Sequence, residues 1–153
     1  MARVEVRGLK ELGENIRKLS EETRRKIAPA MTGAAASVVK RAVVKNAPQS
    51  DEAHEIENIR IEPGNLKKNI IAVKIRKPGE LTAEHIVTAR GGVRGKFASR
   101  YGSMKEHGTV KMPAEPWLRP AIDQNVGAAI NAMKARGEKR VAAAAKSLSK
   151  SGR

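Results

Sequence analysis

The apolar positions of this chain change period several times, and each change marks an element. Arg3-Val4-Glu5-Val6-Arg7 alternates with a period of two and predicts a short strand with Val4 and Val6 on one face. Leu9, Leu12, Ile16 and Leu19 then recur at three- and four-residue spacing, the stripe of a helix over about residues 10–19. Ser20 is placed to cap a second helix whose first turn holds Glu21 and Glu22, where the helix dipole favours carboxylates. That helix continues through Ile27, Met31, Ala34, Val38, Ala42 and Val43 and ends near Asn46, with Pro29 expected to kink or interrupt it. Gly33-Ala34-Ala35-Ala36 offers small side chains that let another backbone approach closely.

Gln49 to Glu62 carries five carboxylates and His54 among few large apolar residues, and reads as a solvated loop with at most a helical turn. Asn69 to Arg76 is β-branched and predicts a strand; Lys77-Pro78-Gly79-Glu80 is a turn, and Ala83 to Ala89 reads as the antiparallel partner. His85 in that partner reads as a half-exposed sheet residue. Gly91-Gly92-Val93-Arg94-Gly95-Lys96 predicts a flexible basic loop; it lacks the Gly-Lys-Ser/Thr ending of a phosphate cradle. Residues 98–111 are expected to add a third strand, with Gly108 and Thr109 near its end. From Pro120 to about Leu148 the pattern is helical again, with Ile122, Val126, Ile130 and Met133 on one face. Gly127 and Gly137 weaken it, and Gly137 is expected to divide helix from tail. The last stretch, 146–153, has little to bury and is expected to fray.

Between the strands and the last helix lies the densest local signal. Glu106-His107-Gly108-Thr109 is followed by Pro113-Ala114-Glu115-Pro116-Trp117-Leu118-Arg119-Pro120-Ala121, which holds the only Trp and three of the seven prolines. Prolines fix φ and extend the residue before them, so the segment reads as a stiff connector presenting Trp117 and Leu118 at a set angle. Pro120 suits the first turn of a helix. Trp117 is either a buried hinge that holds the last helix or an anchor for a partner.

These segments, taken in order, resemble a tail-component family of long-tailed bacteriophages, the small head–tail joining or tail-completion proteins. The matching residues are Gly8-Leu9-Lys10-Glu11-Leu12, Ala47-Pro48, Gly64 to Ile70, Glu106 to Thr109 and Ala114 to Ala121. Trp117 stands where that family has Phe, and Gln49 to Glu62 is longer and more acidic than the family's connection. The resemblance implies a structural virion protein at the tail or neck, made in the host cytoplasm. It further implies a homohexameric ring that joins connector or head-completion protein to tail tube or tail terminator, with DNA passing its lumen. Glu106, Gly108, Thr109, Pro116, Trp117, Leu118, Arg119 and Pro120 would then face subunits or partners. Arg90, Arg94, Lys96 and Arg100 would contact phosphate or an acidic neighbour.

Composition narrows the alternatives. The formal net charge is +15 over 153 residues, and it is uneven: residues 1–62 hold 12 Lys and Arg against 10 Asp and Glu, residues 63–153 hold 19 against 6. Such a basic half suits a polyanion or acidic protein neighbours. The rival function is a basic, non-sequence-specific nucleic-acid-binding accessory protein. No helix-turn-helix spacing, Cys/His finger or aromatic platform supports base reading. Aromatics make up 2%, so the core is thin and subunit burial is expected to support it. Without Cys there is no disulfide or thiolate metal site, and no apolar run long enough for a bilayer or secretory signal is expected. His54, Glu52, Glu55 and Glu57 lack metal-ligand spacing. An enzyme is not expected: Glu106 and His107, the best acid–base pair, would point to opposite faces of a strand, and Ser99 and Ser103 have no base and orienter. No cofactor is called for. The expected fold is α+β. A long kinked N-terminal helix packs on a small, mainly antiparallel sheet and a C-terminal helix follows, with residues 1–137 as one domain and 138–153 as a basic extension.

Overall fold

Leu9–Arg17 forms helix α1 and Glu21–Asn46 forms α2, the two helices that the apolar stripes predict. The computed structural model describes residues 8–17, 19, 21–56, 58–75, 83–95 and 97–151. The predicted strand at 3–7, the Ser20 cap and the turn at 77–80 lie outside these residues. After α2 come strands β1 (His54–Ile56) and β2 (Ile59–Ile61), the short helix α3 (Asn65–Asn69), and strands β3 (Ile70–Ile75) and β4 (Glu84–Ala89). A 3-10 turn (Val93–Gly95) leads into α4 (Ala98–His107), α5 (Leu118–Asp123) and α6 (Val126–Ser151). β1 pairs with β2 and β3 with β4 in two small antiparallel sheets, and the fold is α+β as expected.

The chain falls into two compact units. The first comprises Met1–Val38, Lys74–Ile86 and Val126–Arg153; the second comprises Val39–Val73 and Val87–Asn125. In the first, α1 packs on α6 and buries Leu12, and Ile27 of α2 is buried as well. Gly137 is buried here: a Cβ on it would come within 3.0 Å of Leu12 Cδ2 and Met31 Sδ. It is a contact point, and α6 runs straight through it to Ser151 instead of ending there. The backbone expected to fray at 146–151 is helical. Gly33 likewise lies against a neighbour, because a Cβ there would sit 3.3 Å from His85 Nε2. His85 Nδ1 is hydrogen-bonded to Thr32 Oγ1 at 2.9 Å, so the half-buried histidine seats β4 on the small-residue stretch of α2. Pro29 does not interrupt α2, which is helical throughout. The Thr32 hydroxyl, one turn on, donates to the Ala28 carbonyl at 3.1 Å, and small residues on both sides keep the helix going.

The second unit has its own core of Val43, Ala47, Leu66, Ile70, Ala98, Trp117 and Ala121, with Val87, Ala89 and Tyr101 packed against it. Four sequence expectations fail in or near this unit. The acidic stretch is not a loop: β1 and β2 pair as a hairpin with His54 opposite Ile61 and Ile56 opposite Ile59, and Asn58 in the two-residue turn has φ 61°. Asn tolerates that left-handed backbone, and Ile56, Ile59 and Ile61 supply the apolar side. The Gly-rich stretch is a wound turn, in which Gly95 N–H reaches the carbonyls of Gly91 and Gly92 and Ser99 N–H donates to Arg90 O. Residues 98–107 form a helix instead of a third strand. Gly102 looks like a helix breaker but serves packing, since a Cβ on it would come within 3.0 Å of Trp117 Cζ2 and 3.2 Å of Leu66 Cδ1. The last helical region is split into α5 and α6 by Gln124 and Asn125.

A further correction concerns α2. Arg25–Asn46 is, by length and composition, apolar enough to cross a membrane, with mean hydropathy 1.2 over its best window, where no such run was expected. Its charge-free part, Ile27 to Val39, is far shorter than the ~20 residues a bilayer demands. Only 17% of the window is buried within the chain.

Two glycine substitutions separate packing from propensity. Gly127 in α6 has no neighbour within 4 Å of the place a Cβ would take, so Gly127→Ala raises stability by up to ~1 kcal/mol through helix propensity. Gly102→Ala presses a methyl into an indole that is 7% exposed and cannot retreat, and lowers stability by about 1–2 kcal/mol. Chemical denaturation of the two variants checks this; equal shifts would contradict the packing role of Gly102.

Candidate functional site

The connector is held by the last turn of α4. Glu106 sits there, at the end of its own helix where the dipole disfavours a carboxylate, but its side chain reaches the start of α5. Oε2 accepts the backbone N–H of Trp117 at 2.7 Å and of Leu118 at 2.8 Å, and Oε1 accepts that of Arg119 at 3.2 Å. Trp117 at the N-cap position provides no side-chain cap, so a residue eleven positions upstream performs the capping. Burial opposes the charge on Glu106, yet the N–H donors of Leu118, Trp117 and Arg119, with His107 nearby, outweigh it and hold the carboxyl below its ordinary pKa.

Its neighbour Lys105 takes the other side of the connector. The Lys105 carbonyl accepts Glu115 N–H at 2.7 Å, and Lys105 Nζ lies 2.9 Å from Glu115 Oε2, which raises the lysine's pKa. Between the two grips the chain must double back. Gly108 permits this with φ 75° and ψ 176°, a backbone conformation that is in practice reserved for glycine, and a Cβ there would meet Ala114 N at 2.8 Å. Thr109 and Met112 exchange backbone hydrogen bonds of 2.8 and 3.2 Å, closing a tight turn with Val110 fully exposed at its tip. Trp117 closes the clasp from inside: its ring is in the core and Nε1 donates to Gly102 O at 3.0 Å. Asn46 Nδ2 donates to the Trp117 carbonyl at 3.4 Å.

The sequence-predicted connector residues are therefore brought together, but mostly by bonds within the chain. Glu106, Gly108 and Trp117 build the clasp; Leu118 and Pro120 are half-buried; Thr109, Pro116 and Arg119 are exposed and remain open to a partner. Arg90 and Arg100 are exposed, whereas the side chains of Arg94 and Lys96 lie outside the described residues. Both oxygens of Glu106 are committed to backbone donors, and His107 beside it is exposed at the end of a helix, not on the strand expected. Among the described residues no three His, Asp or Glu side chains converge to hold a metal ion. Sequence reasoning missed the capping role of Glu106, because local capping rules look three residues ahead and this cap acts across a loop. A second strained position, Phe97 at φ 59°, starts α4 in left-handed backbone that costs a bulky residue about 1–3 kcal/mol.

Glu106→Ala, which orphans three N–H donors, is expected to lower stability by about 2–3 kcal/mol, and Glu106→Gln by roughly half as much because one acceptor oxygen remains. The lowered folded pKa means that this contribution is complete above the ordinary glutamate pKa and is lost as pH falls through the folded value. Denaturant titrations at neutral and acid pH check both. The gap between wild type and Glu106→Ala should shrink in acid towards that between Glu106→Gln and Glu106→Ala, because the protonated carboxyl keeps one acceptor oxygen. A gap undiminished there would contradict the clasp.

No curated protein and no solved structure matches the chain. The profile of the family described as "Bacteriophage HK97-gp10, putative tail-component" matches residues 10–108, more than half of the chain, from α1 to the glycine of the clasp. The chain belongs to this HK97-gp10-like family of phage tail components.

Proposed function

We propose that this tail component is a structural protein of the head–tail junction, joining connector or head-completion protein to tail tube or tail terminator as a homohexameric ring. The observation that carries the reading is the family match over residues 10–108, together with the clasp that fixes the connector immediately after it. A junction protein transmits contact from one ring to the next and needs a stiff surface. The doubly tied turn of Thr109 to Met112, with exposed Val110, Lys111, Pro113 and Pro116, supplies one.

Burial argues for more than one copy. From Ile27 to Val39 α2 carries no charged side chain, yet most of that stretch is only half-buried in the free chain. Val73, Ile86 and Val110 add exposed large apolar side chains. Neighbouring subunits would cover such surface. The protein works without catalysis or cofactor in this reading, is made in the host cytoplasm and ends in the virion neck. Exposed Arg90 and Arg100 suit passing contact with the phosphates of DNA in the lumen.

Electron microscopy and sedimentation of the purified protein, alone and mixed with its connector, test the reading. Six-fold rings are expected, and a monomer at every concentration with and without connector would overturn it. DNA affinity is expected to be independent of sequence and to fall steeply with salt through counterion release. Binding to unrelated duplexes at two salt concentrations measures this; a preference for one sequence that survives high salt would favour the nucleic-acid-binding rival.

A further inference from the structure

Within the second unit, the β1–β2 hairpin, α3 and α4 line an open cavity of about 210 Å³. Its lining is mainly apolar, with Ile56, Ile61, Leu66, Phe97, Tyr101 and Met104, and it includes His54 and Arg100 but no carboxylate. The volume exceeds the ~150 Å³ of apolar cavities that accept benzene, so the site has room for side chains from outside. It holds the chain's only Phe and only Tyr, the former in left-handed backbone. Strained positions of this kind gather at ligand clamps. The hairpin beside the cavity is two-stranded among the described residues, and a free sheet edge is a template for an added strand.

Charge selects the occupant. In a chain of net charge +15, residues 51–62 carry Asp51, Glu52, Glu55, Glu57 and Glu62 against Arg60 alone. Asp51, Glu52 and Glu55 are exposed beside the lining residues Ser50, His54 and Ile56. A fitting partner is an extended segment with apolar side chains on one face and cations on the other. Arg3-Val4-Glu5-Val6-Arg7, outside the described residues, has that alternation: two valines on one face, two arginines and one glutamate on the other. Gly8, which follows it, belongs to the first unit, whereas the cavity belongs to the second.

We propose that residues 3–7 of a second copy of this chain dock on the hairpin, with Val4 and Val6 in the cavity and Arg3 and Arg7 against Asp51, Glu52 and Glu55. The inference rests on the ring reading and names the contact that links one copy to the next. Each copy then both donates a strand and accepts one, a head-to-tail contact that closes when the rotation between copies allows it.

The native chain has no Cys, so paired thiols can be introduced without background. Full-length Val4→Cys and Met104→Cys variants are mixed and treated with a short bismaleimide, and the V4C/M104C double variant is treated alone. The expected result is a heterodimer from the mixture and a ladder of multimers from the double variant on denaturing gels. An internal cross-link alone, or none, would overturn the proposal by showing that the segment docks in its own chain or elsewhere. Microscopy of the same samples separates this from the ring reading: rings without a cross-link between copies sink the docking alone, and cross-links without rings sink the ring alone. Val4→Glu with Val6→Glu in the full chain should raise the concentration needed for assembly at least tenfold while leaving the monomer's melting unchanged. Unaltered assembly would count against the proposal.

Discussion

A single carboxylate organises the half of the molecule that bears the connector. Glu106 accepts three successive backbone N–H groups, and in doing so decides where α5 starts and how the chain enters it. Proline alone cannot do this: Pro116 and Pro120 restrict φ, but restriction does not aim a segment. The aim comes from the α4 terminus, where consecutive residues grip the connector on two sides, Lys105 through Glu115 and Glu106 through the start of α5. Such a cap is worth most in the ionised state, because hydrogen bonds to a charged acceptor are the stronger kind.

The core answers to the same arrangement. With one Trp, one Tyr and one Phe, the chain has few large side chains with which to fill space. Trp117 lies across Gly102, where the missing side chain lets the indole touch helix backbone, and the indole N–H takes up the Gly102 carbonyl. Leu66 and Val43 complete the contact. Capping, the glycine of α4 and the tryptophan are therefore one packing decision, and the connector's stiffness follows from it. Thr109, Val110, Pro116 and Arg119 are exposed on that stiff frame.

Where a periodic stripe or β-branched run carried the signal, the sequence was readable: α1, the end of α2 at Asn46, and both strands of the second sheet follow from it. The ordered motif set also made the family legible. Local rules failed where a distant residue decides the local structure. Residues 98–111 read as a strand, whereas 98–107 are a helix in which Gly102 makes room for Trp117, fifteen residues on. The β1–β2 hairpin hid inside an acidic stretch because its one cue is Asn58 in a two-residue turn. Gly137 read as a boundary, whereas it is a place where Leu12 and Met31 come close. The Gly91 to Lys96 stretch read as flexible, but Gly95 is buried and a Cβ on it would collide with the Arg90 carbonyl, which is the mark of a tightly wound turn. Within the site, Trp117 read as either a buried hinge or a partner anchor, and its ring lies in the core of its own chain. Glu106 was singled out, but its action on a helix across the loop was invisible to sequence spacing.

The most direct measurement is a pH titration of the Glu106 side-chain carboxyl by carbon-detected nuclear magnetic resonance, following the amide protons of Trp117, Leu118 and Arg119 in the same samples. Three N–H donors on an ionised carboxylate predict a midpoint below the ordinary glutamate value of about 4.3, with the three amide signals moving at that same midpoint. A midpoint at or above the ordinary value, or amides that do not respond to it, would contradict the account.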